Sequence, residues 1–378
     1  MEESSLNRTS AVIKTCSATP SNENLAIAIV LAILCTGILI GNLVVTLTVL
    51  LHRKLHSMTI VMVVSLATAD LFVSMFSLPW RIHFMLHDET WCLGKDLCGF
   101  WIWTDSFACC ASICNLAAIG IERFIAIKFP LRYPDIVNRT TGTVMIIAVW
   151  MYATVVSSLG LCNWTHSNLP PFVSSVQNGC FKYDRDYYTF VAVFAFVLPE
   201  SIIVFTYAYL TKVALSHHKA IRNIVKPSTQ NSDSNSEAIT RDHRTSRFFK
   251  EIKSTKMMVV VVGAFTISWL PFFLILLLAL WNKDYLKKYT NPVNHREGKI
   301  LGIVMVSILP YANSFCNPLI YIAFTRELRQ AIIREIYKLL FCARRVLARQ
   351  TAVTVVDIIQ DTVRRNTQQK ISAPCSRS

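Results

Sequence analysis

Asp105 is the residue whose type and position most strongly indicate a binding site. It lies in an otherwise uncharged apolar segment, 99–121, that is followed by Glu122 and Arg123. A charge inside lipid hydrocarbon costs at least about 2.5–3.5 kcal/mol, so an intramembrane carboxylate is a functional-site hypothesis by default. Eighteen residues separate Asp105 from Arg123, which is roughly 27 Å and five full helical turns. One helix would thus carry an anion near one membrane face and a cation near the other, which suits a protein that detects a signal outside and reports it inside.

An aromatic cluster in another apolar segment could surround a cation held by Asp105. The sequence Ser-Trp-Leu-Pro-Phe-Phe contains Pro271, and a proline kink there would place Trp269, Phe272 and Phe273 at the depth of Asp105. Aromatic faces beside a carboxylate offer cation–π and ion-pair contacts to an ammonium group. The alternative is an aromatic segment that faces lipid or the protein core.

A second polar group is predicted at mid-depth of the bundle. Its members carry oxygen atoms, which suit a small hard cation such as Na⁺. They are Asn42, Asp70, Ser112, Asn313 and Ser314. The alternative is that Asp70 is protonated and only links helices by hydrogen bonds.

The composition predicts an all-α membrane protein, a seven-transmembrane helix bundle with a short amphipathic eighth helix. Of the 378 residues, 53% are hydrophobic and 16% are charged, whereas soluble domains carry about 25% charged residues. Seven apolar segments reach the roughly 20 residues that a spanning helix needs. They are Leu25–Leu51, Met58–Trp80, Gly99–Ile121, Thr143–Cys162, Tyr187–Thr211, Met257–Trp281 and Ile300–Phe324.

The distribution of Lys and Arg predicts the orientation. With the N-terminus outside, 27 of the 38 basic residues fall on the cytoplasmic side, as the positive-inside rule requires. We therefore expect an extracellular segment 1–24, a bundle 25–324, an amphipathic membrane-surface helix 325–342 and a disordered cytoplasmic tail 343–378 in a multi-pass plasma-membrane protein. Because the basic residues flank the spans, a nucleic-acid partner is not expected.

Modification sites follow from this orientation. Asn7 and Asn163 lie in glycosylation sequons on the outer side. Cys98 and Cys180 also lie outside, where oxidising conditions allow a disulfide, and Cys16, Cys92 and Cys162 could form a second bridge that the sequence does not select. Cys342 follows the predicted amphipathic helix and is a candidate for palmitoylation.

Two short motifs resemble those of the rhodopsin-like (class A) G-protein-coupled receptors. Asn317-Pro-Leu-Ile-Tyr321 ends the seventh segment and Glu122-Arg123-Phe124 ends the third. Leu66–Asp70 and Trp150 match further reference positions, and the resemblance covers about residues 25–342. It implies a Cys98–Cys180 bridge, a sodium site around Asp70, and coupling to a heterotrimeric G protein, with receptor kinases and arrestin as further partners. The residues it implies for activation are Glu122, Arg123, Glu251, Trp269, Pro199, Ile113, Phe265, Tyr207, Asn317, Pro318 and Tyr321.

Within that family, the sequence is most similar to the aminergic receptors, in which an Asp seven residues after the outer Cys of the third span binds the ligand's protonated amine. Asp105 occupies this place relative to Cys98. The ligand-binding set that the resemblance implies is Asp105, Trp101, Ser106, Cys109, Val191, Ala195, Trp269, Phe272, Phe273, Leu276, Ser307 and Tyr311.

Several positions depart from the aminergic pattern. Val191, Ala192 and Ala195 stand where catechol- or indole-binding receptors carry Ser or Thr, and Ile308 replaces the usual Trp of the seventh span. Phe124 also replaces the common Tyr after the Arg. An amine with a small or apolar far end, such as a trace amine, therefore fits better than a catechol-like ligand.

The main prediction is a receptor for a small protonated amine, and two alternatives remain. One is a receptor of the same family for a peptide or another non-amine ligand, or an orphan receptor. The other is an ion transporter or channel that uses Asp70, Asp105 and Glu200, against which the odd number of spans argues. An enzyme is not expected, because no nucleophile–base pair and no metal-ligand spacing is found. No cofactor is expected beyond allosteric Na⁺, and Tyr311 stands where opsins attach retinal to a lysine.

Overall fold

The chain folds into a bundle of membrane-length helices. The computed structural model describes residues 19–52, 57–162, 164, 179–180, 182, 185–224, 260–278, 281–282, 302, 304–338 and 341, and all regular structure within these ranges is helical. Among them, six helices are long and apolar enough to cross a membrane. They are α1 (Asn22–Leu51), α2 (Met58–Leu86), α3 (Gly94–Lys128), α4 (Arg139–Leu161), α5 (Arg185–Val213) and α6 (Val260–Leu278).

Two further helices follow α6 in the described part of the chain. In α7, a π-helical turn, Val304–Ile308, continues into the α-helix Leu309–Phe324. Residues 326–338 form a further helix, α8. The predicted fold class, an all-α membrane bundle, is confirmed.

Several helices extend beyond the apolar segments that predicted them. The third apolar segment covers 99–121, but α3 runs from Gly94 to Lys128, and α5 continues to Ile224. Polar end residues are compatible with helix where the chain leaves the hydrocarbon, since the backbone hydrogen bonds continue and the side chains reach the headgroups. For these helices, hydropathy therefore located the membrane core and underestimated the length.

Side-chain caps fix two helix starts. Ser21 accepts a hydrogen bond from the backbone N–H of Asn24 at 3.3 Å and begins α1. Asn138 accepts one from the backbone N–H of Thr141 at 2.9 Å and begins α4. Both caps satisfy donors that the first helical turn leaves without a partner.

α3 lies at the centre of the bundle, where it packs against α2, α4 and α5. Of its most apolar stretch, 67% is buried, compared with 28% for α1 and 22% for α4. The peripheral helices expose large apolar side chains, and Ile33, Met151, Phe205 and Ile267 are each between 59% and 67% exposed. An apolar surface of this kind is compatible with lipid and would be a liability in water.

Within the described residues, three π-helical turns interrupt the helices, each immediately before a Leu-Pro pair. Val73–Ser77 precedes Leu78-Pro79 in α2, and Ala192–Val197 precedes Leu198-Pro199 in α5. In α7 the π turn precedes Leu309-Pro310. Because proline has no N–H and its ring clashes with the carbonyl four residues earlier, the preceding turn widens.

α8 lies against the inner end of the bundle with part of its apolar face. Leu328, Ala331 and Ile332 are buried, whereas Ile333 and Ile336 are 45% and 47% exposed. His52 at the end of α1 lies 3.3 Å from Glu335 of α8. The predicted palmitoylation site, Cys342, lies outside the described residues.

Candidate ligand-binding site

Asp105 is held on α3 by two hydroxyl groups from neighbouring helices. Ser77, in the π turn of α2, donates a hydrogen bond to its carboxylate, and Tyr311 of α7 donates another at 3.1 Å. The hydroxyl groups of Ser77 and Tyr311 are themselves 3.4 Å apart. Three helices thus meet at one carboxylate, as expected for a preorganised anchor and not for an isolated buried charge.

The predicted aromatic cluster forms on α6 with a contribution from α5. Trp269 and Phe272 meet edge to face at 5.9 Å between ring centroids, as do Phe272 and Phe273 at 5.1 Å. Phe196 of α5 stacks on Phe273 at 4.5 Å. These rings are packed against one another, so their positions are fixed before any ligand arrives.

Asp105 and the aromatic cluster line the same cavity, which has a volume of about 220 Å³. The cavity brings together ten of the twelve residues predicted for ligand binding. They are Trp101, Asp105, Ser106, Cys109, Val191, Ala195, Trp269, Phe272, Phe273 and Leu276. The other two lie behind the cavity wall, where Tyr311 contacts Asp105 and Ser307 contacts Arg81.

A disulfide and aromatic residues lie beside the cavity at the Cys98 end of α3. Cys98 at the start of α3 is bonded to Cys180, with 5.6 Å between their Cα atoms, and Cys180 lines the cavity. The predicted bridge is confirmed. Trp91 stacks on Trp101 at 5.2 Å beside it.

The second bridge that the sequence left open does not include Cys162. The Cys162 thiol is free and exposed. Cys92 is disulfide-bonded, and its partner lies outside the described residues. Asn7, Asn163 and Cys16 also lie outside them.

Arg81 is the principal cavity residue that the sequence interpretation missed. It lies on α2, one helical turn after Ser77, and donates a hydrogen bond through Nη2 to Ser307 in the π turn of α7. Its Nε is buried with no hydrogen-bond partner, and its guanidinium carbon lies 5.9 Å from the ring centroid of Phe84. Arg81 follows the apolar segment 58–80 and was therefore counted with the charges that flank the membrane. Tyr187 and Tyr188 also line the cavity, although the prediction considered only the later positions of α5.

The polar group around Asp70 assembles in part as predicted. Ser112 donates a hydrogen bond to the fully buried Asp70 carboxylate at 2.9 Å, and Asn317 donates another at 2.8 Å. The Asn42 amide instead donates to the backbone carbonyl groups of Ile38 and Ser314, at 2.9 Å and 3.3 Å. Asn313 is buried here too, and its side-chain oxygen has no hydrogen-bond partner. The donor set is therefore compatible with Na⁺, since carboxylate, hydroxyl and amide oxygens are the ligands a hard cation prefers.

At the inner end of α3, Arg123 is paired with its neighbour Glu122. The two nitrogen–oxygen distances are 2.6 Å and 2.9 Å. Thr59 donates a further hydrogen bond to Glu122 at 3.0 Å, and Tyr133 donates another. Glu251, the predicted partner of Arg123, lies outside the described residues.

A continuous core connects the cavity to this inner end. The core cluster contains five of the residues predicted for activation, and all are at most 6% exposed. They are Ile113, Tyr207, Phe265, Trp269 and Tyr321. Beside this cluster, Pro199 is buried at the start of the second α-helical part of α5. Glu200, which the sequence analysis placed only in the ion path of the channel alternative, accepts a hydrogen bond from Thr266 of α6 at 2.5 Å.

Comparison with known proteins agrees with this geometry. The family model described as "7 transmembrane receptor (rhodopsin family)" matches residues 41–321. The alpha-1A adrenergic receptor of Homo sapiens is 31% identical over 84% of this chain and 69% of its own length, as is the Rattus norvegicus receptor. The Canis lupus familiaris receptor of that name is 32% identical over 69% of this chain and 95% of its own length. The chain therefore belongs to the rhodopsin family of seven-transmembrane, G-protein-coupled receptors, which are not enzymes and need no cofactor.

Proposed function

We propose that this receptor binds a small protonated amine from the extracellular side and activates a heterotrimeric G protein in response. The observation that carries the proposal is the position of Asp105 in a cavity with the aromatic cluster Trp269, Phe272 and Phe273. An ammonium group there would form an ion pair with the carboxylate and cation–π contacts with the rings. The adrenergic receptors among the relatives support an amine as the ligand.

The size and lining of the cavity favour a small ligand with an apolar far end. About 220 Å³ lies below the range of about 300–1,000 Å³ for sites that hold drug-sized ligands. The α5 wall presents Val191 and Ala195, which cannot donate hydrogen bonds to ring hydroxyl groups. An amine that depends on such bonds would leave its polar groups unpaired at a cost of about 1–3 kcal/mol each.

The orientation is part of the proposal, with the N-terminus outside and the C-terminus in the cytoplasm of a plasma-membrane receptor. It rests on the excess of Lys and Arg on the predicted inner side. The Cys98–Cys180 disulfide lies on the opposite side of the bundle from Arg123, in agreement with an oxidising exterior. An N-terminal epitope tag should bind antibody on intact cells, and binding only after permeabilisation would reverse the orientation.

Signal transmission would proceed through the packed core below the cavity. Trp269 and Phe273 touch the ligand site, and Phe273 packs on Phe196, which lies 6.1 Å from Phe265. A ligand that binds the active arrangement more tightly shifts the population toward it. In the structure Arg123 is paired with Glu122, so we infer that activation releases Arg123 for the G protein.

The decisive experiment compares Asp105→Asn with Asp186→Asn in cells exposed to a panel of biogenic and trace amines. Cyclic AMP and calcium are recorded together, with surface expression measured for each variant. Loss of one partner of a buried ion pair costs about 3–5 kcal/mol, so amine potency should fall at least about a hundredfold in Asp105→Asn. Asp186 is exposed and pairs with Arg185, so its variant should respond as the unmodified receptor does.

Two results would contradict the proposal. Unchanged amine potency in Asp105→Asn would make this carboxylate structural and favour another ligand class. A ligand-gated current in membranes without any G protein would favour the channel alternative.

A further inference from the structure

The ligand cavity contains a cation as well as an anion. Among the described residues that line it, Asp105 and Arg81 are the charged ones, and the others are apolar, aromatic, Ser or Cys. Arg81 lies on α2 and Asp105 on α3, and both line this cavity. The site is therefore dipolar and not simply acidic.

The two charges do not neutralise each other by direct contact. Within the part of the chain that the structure describes, Arg81 and Asp105 form no ion pair. Asp105 is instead bound by the hydroxyl groups of Ser77 and Tyr311, and Arg81 uses Nη2 for Ser307. Because both side chains line the cavity, one ligand can contact both charges.

Arg81 also retains an unused donor. Its Nε is buried and has no hydrogen-bond partner, and such an orphaned donor costs about 1–3 kcal/mol, more when it is charged. A guanidinium group binds a carboxylate through two parallel hydrogen bonds, because its planar set of donors fits the two carboxylate oxygens. A carboxylate in the cavity would neutralise the positive charge, and a turn of the guanidinium toward it would also give Nε a partner.

The net charge of the cavity also favours a ligand that carries a carboxylate. Asp105 and Arg81 together leave the empty cavity formally neutral, so a simple ammonium ligand would add one uncompensated positive charge. Uncompensated charge in a low-dielectric site is costly. A ligand with one ammonium and one carboxylate would leave the cavity neutral and both protein charges paired.

We propose that the ligand is a small amino acid or ω-amino acid, with its ammonium group at Asp105 and its carboxylate at Arg81. This inference rests on the proposed function, since it keeps the amine at Asp105 and adds a second anchor. Val191, Ala195 and the aromatic cluster of α6 would enclose the side chain or methylene groups. Arg81 is then the residue that determines specificity.

The test compares ligands that differ only in the carboxylate. Phenylalanine, phenylalanine methyl ester and 2-phenylethylamine form one set, and 4-aminobutyrate and butylamine form another. Each is assayed for potency on the unmodified receptor, which requires no variant to fold. We expect the zwitterion of at least one set to be at least tenfold more potent than its carboxylate-free counterparts.

Variants at Arg81 then connect the preference to this residue. Arg81→Gln should lower zwitterion potency at least tenfold and raise the potency of the ester or amine, because it removes a like charge from their site. Arg81→Lys keeps the charge without Nε, so zwitterion potency should be intermediate, and it serves as the second variant if Arg81→Gln fails to reach the cell surface. Arg185→Gln makes the same change at an exposed outer arginine stacked on Trp281 and should leave the preference intact.

The outcomes separate this inference from the proposed function. If carboxylate-free amines are the more potent ligands and depend on Asp105, the amine function stands and the inference is wrong. Zwitterion potency that is unaffected by both Arg81 variants would also overturn it. If neither kind of ligand acts on a receptor that reaches the cell surface, both proposals fail.

Discussion

Glu122 connects Arg123 to the residues around the Arg123 end of α3. Its side chain is fully buried and accepts hydrogen bonds from Arg123, Thr59 and Tyr133. Burial, together with the neighbouring Glu122 carboxylate, raises the pKa of Tyr133 to about 12, so this hydroxyl remains a donor across the physiological pH range. Glu122 is thus a carboxylate with three fixed donors, and its charge confines Arg123.

Glu122→Gln should raise signalling in the absence of ligand. The change removes the charge that holds Arg123 while it keeps the side-chain size, and a charge-assisted hydrogen bond contributes about 1.5–3 kcal/mol. A shift of that size would increase the active population roughly tenfold or more where it is small. Basal G-protein activation at matched surface expression is the measurement.

Two neighbouring variants control this prediction. Tyr133→Phe removes one donor and no charge, so it should raise basal signalling less. Asp135→Asn removes an exposed charge two residues after Tyr133, where it does not contact Arg123, and should have no such effect. Basal signalling that stays at the unmodified level in Glu122→Gln would show that this pair does not restrain the receptor.

The sequence predicted the site residues whose role follows from their residue type. It missed those whose role depends on where the helix places them. Asp105 was found because a carboxylate inside an apolar segment is expensive, and the Cys98–Cys180 bridge was found because both residues lie on the predicted outer side and the family resemblance implies the pair. Arg81 was missed because a charge at the end of an apolar segment usually belongs to the membrane interface. Its position in the cavity depends on the path of α2, which residue type does not encode.

At the scale of the helices, the described π turns explain how residues of α2, α5 and α7 reach the binding site. Each supplies a residue to the binding site: Ser77 contacts Asp105, Ala195 lines the cavity, and Ser307 contacts Arg81. One additional residue in a helical turn rotates all later positions by about 100° relative to a continuous α-helix. The sequence interpretation did not consider Pro79 as an interruption of α2, so the rotation that carries Arg81 inward was not foreseen.

Glycines at helix contacts give a test of how tightly the elements that form the cavity are packed. Gly160 lies in the last turn of α4, where a Cβ would come within 2.7 Å of the Tyr187 ring carbon that bears the hydroxyl. Tyr187 is 2% exposed and lines the cavity. Gly160→Ala should therefore destabilise the receptor by about 1–3 kcal/mol, as overpacking does, and should weaken ligand binding. Thermal denaturation of the purified receptor and ligand titration would measure the two effects.

Two other glycines provide matched comparisons. Gly142→Ala would bring its Cβ onto Met58, but a flexible thioether can move aside, so the loss should be smaller. At Gly263 of α6, no described atom lies within 4 Å of the position that a Cβ would take, and Ala there should be neutral or stabilising by helix propensity. Equal denaturation temperatures for all three variants would show that Tyr187 is free to move, against the packing described here.

At the scale of the whole molecule, hydropathy predicted the helix bundle. It did not predict which polar side chains of different helices contact each other. Seven apolar segments and the charge distribution predicted the bundle and its order, because lipid requires continuous helices with satisfied backbones. Which polar side chains meet depends on helix rotation: Asn317 contacts Asp70, whereas the Asn42 amide contacts backbone carbonyl groups instead. The residues around Arg123 were likewise predicted as a set, but the contact between Arg123 and Glu122 was seen only in the structure.

The polar network around Asp70 predicts that sodium opposes ligand binding across the length of the receptor. Asp70 joins α2 to Ser112 of α3 and to Asn317 of α7, and Arg123 is paired with Glu122 in the same arrangement of the helices. A Na⁺ ion bound there would stabilise this arrangement, and by linkage it would lower the affinity for a ligand that favours the other one. Replacing NaCl by N-methyl-D-glucamine chloride at constant ionic strength should therefore increase amine affinity several-fold. Asp70→Asn should abolish this salt effect and Asp186→Asn should preserve it, whereas a salt effect that persists in Asp70→Asn would place the ion elsewhere.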